Sequence, residues 1–304
     1  MSSTFFSDSP QSPRKILITG ARGQLARALA LYAPQNAQIV ALERAGLDIC
    51  DAAAVRAALE THQPEIVFNG AAYNLVDRAE SDGARSALEI NALGPAVLGA
   101  ACRDSGATLV HFSTDFVFDG RRDSPYLETD NANPLGVYGA SKLCGENVVL
   151  AASPRHFVIR VCRLFGPLDA GPTQKPGGNF PLLMLKLARE RGKIRVVDDQ
   201  VGSPTYTPDL ARGVWQLLEK ADGGVFHLSN AGEISFADYA REICRIGGVE
   251  CEIEGVSTAE YGAPAARPLY STLSNQKAHD LGVVPLRAWK EALREFLSNH
   301  ASSA

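Results

Sequence analysis

The 304-residue sequence predicts an α/β protein, a doubly wound parallel sheet with a smaller α/β lobe attached. Three observations predict it. Five-residue apolar, β-branched runs alternate with helix-like stretches between residues 15 and 161, the pattern of parallel strands joined by crossover helices. The first run leads directly into a glycine turn and a helix, the local order that receives a phosphate at a helix N-terminus. Beyond residue 166 the alternation breaks in a Pro/Gly-rich stretch, and 304 residues is long for one hydrophobic core.

Lys15-Ile16-Leu17-Ile18-Thr19 reads as a buried strand. Gly20-Ala21-Arg22-Gly23-Gln24-Leu25-Ala26 follows, and Leu25, Ala28, Leu29 and Tyr32 recur at helical spacing. In this context Gly20, Gly23, Gln24 and Leu25 are candidates to cradle a dinucleotide diphosphate, in a Rossmann-type arrangement with Ala26 as the third small residue. Gln38–Leu42 is the second strand and ends in Glu43-Arg44. A carboxylate there suits a ribose 2′-hydroxyl and a guanidinium suits a 2′-phosphate, so NADH and NADPH both remain open. Asp48 is either a loop residue or an adenine contact, and Ile49 is its neighbour. Asp51 is placed to cap a helix over Ala52–Thr61. The third strand, Glu65–Asn69, leads into Gly70-Ala71-Ala72-Tyr73, where small residues let a flat cofactor lie against the backbone or simply pack closely. Asn91 falls within an otherwise apolar helix, Ser86–Cys102, and once buried must be hydrogen-bonded.

Thr108–Phe112 is the fourth strand, and Ser113-Thr114-Asp115-Phe116 follows it. Thr114 is thus expected at the carboxyl end of a strand, where open α/β sheets bind ligands. Further on, Ala140–Leu150 has helical composition, and Tyr138 and Lys142 lie four apart, so on a helix they share one face. That set suits carbonyl reduction. A ketone accepting hydride needs a proton on oxygen, and a phenol of pKa about 10 is a poor acid near neutrality. An ammonium one turn away favours the phenolate; lowering the phenol by roughly three units takes ~4 kcal/mol. Thr114 can hold the carbonyl oxygen. Alone, the Tyr-Lys spacing would equally describe a surface helical pair. The order of glycine turn, Ser-Thr strand end and Tyr/Lys pair favours catalysis.

The fifth strand, Phe157–Val161, continues into Cys162-Arg163. Arg163 stands at the expected cleft mouth, either paired with Asp115 or Asp199 or facing an anionic group of a substrate. Pro167–Gly178 reads as the crossing into the lobe and as a mobile flap. Helix Phe180–Arg191, the run Ile194–Val197 and Asp198–Thr205 belong to the lobe, as do helices Phe236–Ile246 and Arg287–Leu297. Thr207–Leu218 is amphipathic, and Gly224–Leu228 reads as a strand returning to the main sheet. The expected division is a tail at 1–13, a dinucleotide-binding domain at 14–166 with a return segment near 206–230, and a substrate lobe at 167–205 and 231–304.

The net charge of −4 and pI near 5.9 argue against nucleic acid or an anionic membrane as partner. Six cysteines show no C-x-x-C and no paired histidine spacing, so neither disulfides nor a metal site is expected. The first thirteen residues lack a basic start and an apolar core and read as a disordered tail, not a signal peptide. No apolar run approaches the ~18 residues of a membrane span. These features predict a cytoplasmic protein, monomeric or a homodimer.

Taken together, Gly20-Ala-Arg-Gly-Gln-Leu25, Asn69-Gly-Ala-Ala-Tyr-Asn-Leu-Val-Asp77, Ser113-Thr-Asp-Phe-Val-Phe-Asp-Gly120, Tyr138-Gly-Ala-Ser-Lys142, Asp198-Asp-Gln-Val-Gly-Ser-Pro-Thr205 and Arg267-Pro268 resemble the dTDP-4-dehydrorhamnose reductase family of extended short-chain dehydrogenase/reductases. The likeness spans Lys15 to about Leu297. It implies Thr114, Tyr138 and Lys142 as the catalytic set and Gly20, Gly23, Gln24, Leu25, Asp48, Ile49, Ala71, Ala72 and Tyr73 around NADPH or NADH. It also implies a nucleotide-sugar substrate between the lobes, with Asp115, Phe116, Arg163, Asn179, Gln200, Pro204 and Arg267 as its candidate contacts. The chain departs from the family pattern at Phe116, where a tyrosine is usual, and at Cys162-Arg163, where Ser-Trp is common. Ala28 replaces a glutamate that bridges some dimers through Mg²⁺. Two other functions share the framework: an epimerase or 4,6-dehydratase, disfavoured because Phe116 cannot move a proton, and a non-catalytic subunit like the regulatory subunit of methionine adenosyltransferase.

Overall fold

The computed structural model describes residues 13–168 and 178–301. The expected tail and flap lie almost wholly outside the described residues. The six predicted strand runs form one all-parallel sheet. Arg14–Thr19 (β1) pairs with Ala37–Leu42 (β2) on one side and Ile66–Asn69 (β3) on the other. Thr108–Thr114 (β4) lies beside β3 and Phe157–Val161 (β5) beside β4. Gly224–His227 returns to the far edge, next to β5, as expected. The chain steps from β1 outward to β2 and then crosses back, so its direction reverses between β1 and β3. The crevice outside the carboxyl ends at such a reversal is where these sheets take their ligands.

Strand side chains alternate between the two faces, and both faces are covered. Ile16, Ile18, Phe68, Val110 and Phe112 pack with helix Gln24–Leu31 (α1) and helix Thr207–Lys220. Leu17, Val67, Leu109 and Val158 pack with helix Ala52–His62 (α2) and helices Gly94–Ser105 and Val137–Ala152. Asp51 caps α2 by accepting from the Ala53 and Ala54 amides at 2.9 and 3.0 Å. A second core gathers Phe165, Met184, Ile194, Tyr206, Tyr239 and Phe296 among helices Phe180–Arg191, Phe236–Ile246 and Trp289–Ala301. Ala278 and Val283, from the stretch expected in the lobe, pack instead against the main sheet's core.

Three local expectations are corrected. The helix foreseen over Ser86–Cys102 is interrupted: Ala84–Leu88, a π-turn at Glu89–Leu93, then Gly94–Ser105. Pro95 supplies the cause, because it has no N–H for the Asn91 carbonyl and its ring crowds that carbonyl. The Tyr138 helix begins at Val137, not Ala140. Finally, Lys193–Val197 pairs in parallel with Glu252–Val256. That strand is masked in the sequence by its two glutamates and a glycine.

Candidate active site

The glycine turn is pressed against the end of β3. Gly20 adopts φ 65°, and a Cβ there would lie 2.6 Å from the Ala71 amide nitrogen. Only glycine allows both that backbone and that approach. Gly23 caps α1 without a side-chain bond, and the first turn of α1 holds no acidic residue. Its leading amides therefore face the crevice with the positive end of the helix dipole. Gln24 donates to the Leu164 carbonyl at 3.3 Å, while its Oε1 is buried without a partner, as is the hydroxyl of Ser113. A narrow, all-backbone, positively biased cradle with spare polar atoms fits the diphosphate and ribose of a dinucleotide.

At the end of β2, Arg22 meets Glu43 at 3.5 Å and Arg44 meets Asp48 at 3.6 Å, all well exposed. Asp48 also accepts from the Cys50 amide at 3.0 Å, so the loop role is real. Ile49 is buried against Gly94. Ala71, Ala72 and Tyr73 follow β3, with the Ala71 amide against Gly20. Asn91 grips both backbone groups of Tyr73, accepting at 2.8 Å and donating at 3.0 Å, and donates to Ser141 Oγ at 3.0 Å. The buried asparagine thus ties the loop after β3 to the Tyr138 helix.

Tyr138, Lys142 and Thr114 come together, all buried. A side chain at Gly139 would collide with the Phe116 carbonyl, so glycine lets the helix carrying Tyr138 approach the Thr114–Phe116 turn closely. Thr114 Oγ1 accepts from the Phe116 amide at 3.2 Å and donates to Asp115 Oδ1 at 3.1 Å. Tyr138 Oη reaches Asn74 Oδ1 at 3.4 Å. Lys142 Nζ donates to the Phe112 carbonyl at 2.6 Å. Its pKa is lowered to about 8 by burial, with Glu146 working the other way. Here the expectation that Lys142 depresses the phenol is corrected. Burial pushes Tyr138 up to about 12; Thr114 only partly offsets this, and the negative Asp115 adds to it. The ammonium points at a backbone carbonyl, and desolvation of the phenolate dominates.

Asp115 accepts from Ser271 Oγ at 2.6 Å and from Cys162 Sγ at 3.2 Å. Burial raises its carboxyl pKa despite these donors. Phe116 stands edge-on to the Tyr138 ring, with centroids 5.6 Å apart.

Four residues expected at the substrate are engaged in the scaffold. Arg163, at φ 46°, donates to the Ile234 and Gln200 carbonyls at 2.8 and 2.9 Å and lies 3.8 Å over the Phe236 ring. No ion pair joins Arg163 to Asp115 or Asp199 among the described residues, and Asp199 instead binds the Thr258 hydroxyl and amide. Asn179 caps helix Phe180–Arg191 and donates to the Gly166 carbonyl at 2.7 Å. Gln200 donates to Thr258 Oγ1 at 2.9 Å. Arg267 donates to Asp77 Oδ2 at 2.9 Å. Pro204 is buried. Sequence reasoning assigns no site role to Ser271 or Cys162, which bond Asp115, or to Asn74 beside Tyr138; Asn74 and Cys162 fall in stretches it singles out, while nothing local marks Ser271.

A glycine cradle at the reversal of a parallel sheet, facing a Thr–Tyr–Lys set on β4 and the following helix, defines a nicotinamide-dependent reductase of the short-chain dehydrogenase/reductase class. The family model for the RmlD substrate binding domain matches residues 14–302, and the chain belongs to that family. It is 38% identical over 290 residues to the spore coat polysaccharide biosynthesis protein SpsK of Bacillus subtilis, covering 95% of this chain and 99% of that one. It is 40% identical to dTDP-4-dehydrorhamnose reductase of Mycobacterium tuberculosis, over 95% and 94% of the two chains. The crystal structure of dTDP-4-dehydrorhamnose reductase from Bacillus anthracis in complex with NADP superposes with a TM-score of 0.88 at 35% identity, covering 94% of this chain and 99% of that one. Among the described residues, no helix is long and apolar enough to cross a membrane, and all six cysteines are free.

Proposed function

We propose that the chain reduces the 4-keto group of dTDP-4-dehydrorhamnose with NADPH, giving dTDP-rhamnose. The observation that carries this reading is the buried Tyr138–Lys142 face packed against the Thr114–Phe116 turn at the end of β4. The names of the relatives and the NADP in the neighbouring crystal structure support the substrate and the cofactor.

The amides of the Gly20–Leu25 turn would hold the diphosphate, with Ala71, Ala72 and Tyr73 against the other wall; Glu43 and Arg44 flank the adenosine ribose. When bound, NADPH supplies the hydride that reaches C4 of the sugar. Thr114 and Tyr138 orient the ketone oxygen, and Tyr138 gives its phenolic proton to that oxygen as the C=O π pair becomes the O–H bond. The phenol is protonated at neutral pH, so the proton is in place, and the negative charge that develops on the ketone oxygen as hydride arrives draws it across. Lys142 serves the nicotinamide ribose from the same helix face, and the phenolate left behind regains its proton from solvent. Ketone, NADPH and a proton thus become alcohol and NADP⁺.

The main body, residues 14–166 with 206–230, serves the dinucleotide. The lobe, residues 167–205 and 231–304 apart from the stretch around Ala278 and Val283, serves the sugar nucleotide. Asp115, Phe116 and Pro204 contact the sugar. Arg163, Asn179, Gln200 and Arg267 act by holding the lobe in place. The protein works in the cytoplasm as a monomer or homodimer.

The test is NADPH oxidation by the purified protein with dTDP-4-dehydrorhamnose, with the product identified by NMR. NADPH loss coupled to dTDP-rhamnose is expected. No turnover with this or any 4-keto sugar nucleotide would refute the reading.

A further inference from the structure

Behind the catalytic face lies a buried charge cluster that the mechanism above does not use. Glu146 is one helical turn beyond Lys142 and two beyond Tyr138, so the three share a face of helix Val137–Ala152. It is 1% exposed and Arg160, on β5, is 5% exposed. Arg160 grips both carboxylate oxygens, with Nε at 3.0 and 3.2 Å and Nη2 at 2.7 Å. Its remaining Nη1 meets His227 Nε2 at 3.3 Å, and His227 Nδ1 is 3.1 Å from the Tyr126 carbonyl. His227 therefore donates from Nδ1 and is neutral. A buried ion pair of this kind is often no more stabilising than a well-packed apolar pair.

We propose that Glu146 is a positioning residue for the reaction: clamped by Arg160, its buried carboxylate is the counter-charge that keeps the Lys142 ammonium charged on the face it shares with Tyr138. This rests on the reductase reading for its purpose but not for its test. The charged and titratable groups around Lys142 and Glu146 are few. Tyr138 is on the same helix, His111 on β4, Asp115 just after β4, Arg160 on β5 and His227 on the edge strand. His111 and His227 are both held neutral by burial. Asp115 is engaged by Ser271, Cys162 and Thr114. Glu146 is the one charge that raises Lys142 against its burial. Residues four apart on a helix are neighbours on one face, and in this water-poor interior an opposite charge one turn away favours the charged form.

The experiment titrates Lys142 directly by NMR of protein labelled at lysine, with its signal assigned by its absence in Lys142→Met and with no substrate present. Wild type is expected to titrate near pH 8. In Glu146→Gln the midpoint should fall by about one unit or more. Because that variant leaves Arg160 uncompensated and can unfold, Glu146→Gln/Arg160→Met removes both charges, should fold, and should still show the fall. Glu146→Asp should keep the wild-type midpoint despite a lower melting temperature. An unchanged Lys142 midpoint in the folded double variant overturns the proposal and leaves the pair purely structural. Absence of reductase activity in wild type would instead refute the proposed reaction without touching this result.

Discussion

Replacing Arg163 by alanine should cost stability and not retune the substrate. Two guanidinium nitrogens donate to backbone carbonyls at 2.8 and 2.9 Å, and the group lies 3.8 Å over Phe236. A hydrogen bond from a charged donor contributes about 1.5–3 kcal/mol. Arg163 is half-buried, so the low end applies, giving about 3 kcal/mol for the pair. The ring contact adds about 1 kcal/mol. With roughly 2–4 °C per kcal/mol for a chain of this size, Arg163→Ala should melt about 8–16 °C below wild type. The backbone supplies an internal control. At φ 46° an L-residue is strained by about 1–2 kcal/mol, so Arg163→Gly should be the milder substitution of the two. Differential scanning calorimetry of both variants, alongside kcat/KM for the keto sugar, decides the matter. A normal melting temperature with weakened nucleotide-sugar binding in Arg163→Ala would return the guanidinium to the substrate and refute the reasoning.

Tyr138→Phe should lower kcat by about 10²-fold or more, with NADPH affinity unchanged in a fluorescence titration. Lys142→Met should abolish most activity yet stabilise the fold. Its amine sits near 8 when folded against an ordinary 10.5, so below pH 8 the folded state carries the whole penalty, about 3 kcal/mol. That penalty fades as pH rises from 8 to 10.5; urea melts of Lys142→Met should therefore exceed wild type at pH 7 and converge with it near pH 10.5. Arg44→Ala should weaken NADPH binding about tenfold and leave NADH unchanged, because a 2′-phosphate alone loses a charge-assisted bond. Equal losses for the two cofactors, measured by calorimetry, would remove Arg44 from that role.

Much of this protein is written locally. Five-residue apolar runs separated by helical spacing are enough to place β1 through β5, because buried parallel strands need continuous β-branched apolar residues. The glycines of the turn after β1 and the four-residue step from Tyr138 to Lys142 are likewise local facts. Asp51, the helix over Phe180–Arg191 and the returning strand at Gly224 were legible for the same reason. Even the break at Asn91 had a local cause in Pro95, although the hydrophobic pattern around it reads as one helix.

What only the tertiary structure decided is which polar groups meet. Arg267 and Asp77 are 190 residues apart, Ser271 and Asp115 are 156, and Arg163 finds its carbonyls at Gln200 and Ile234. No periodicity carries such pairings; they exist because the lobe docks against the carboxyl end of the sheet, and each buried donor there must find an acceptor. The same holds for the phenol of Tyr138. Its position follows from sequence spacing, but its proton affinity follows from how much water the closed packing of β4, the Phe116 turn and the helix at Gly139 leaves around it. Sequence by itself determined which residues could do the chemistry, since side-chain identity and helical spacing are local. Burial and long-range partners are properties of the packed chain, and they decided that Arg163 bonds to the scaffold and that the Tyr138 phenol holds its proton more tightly than in water.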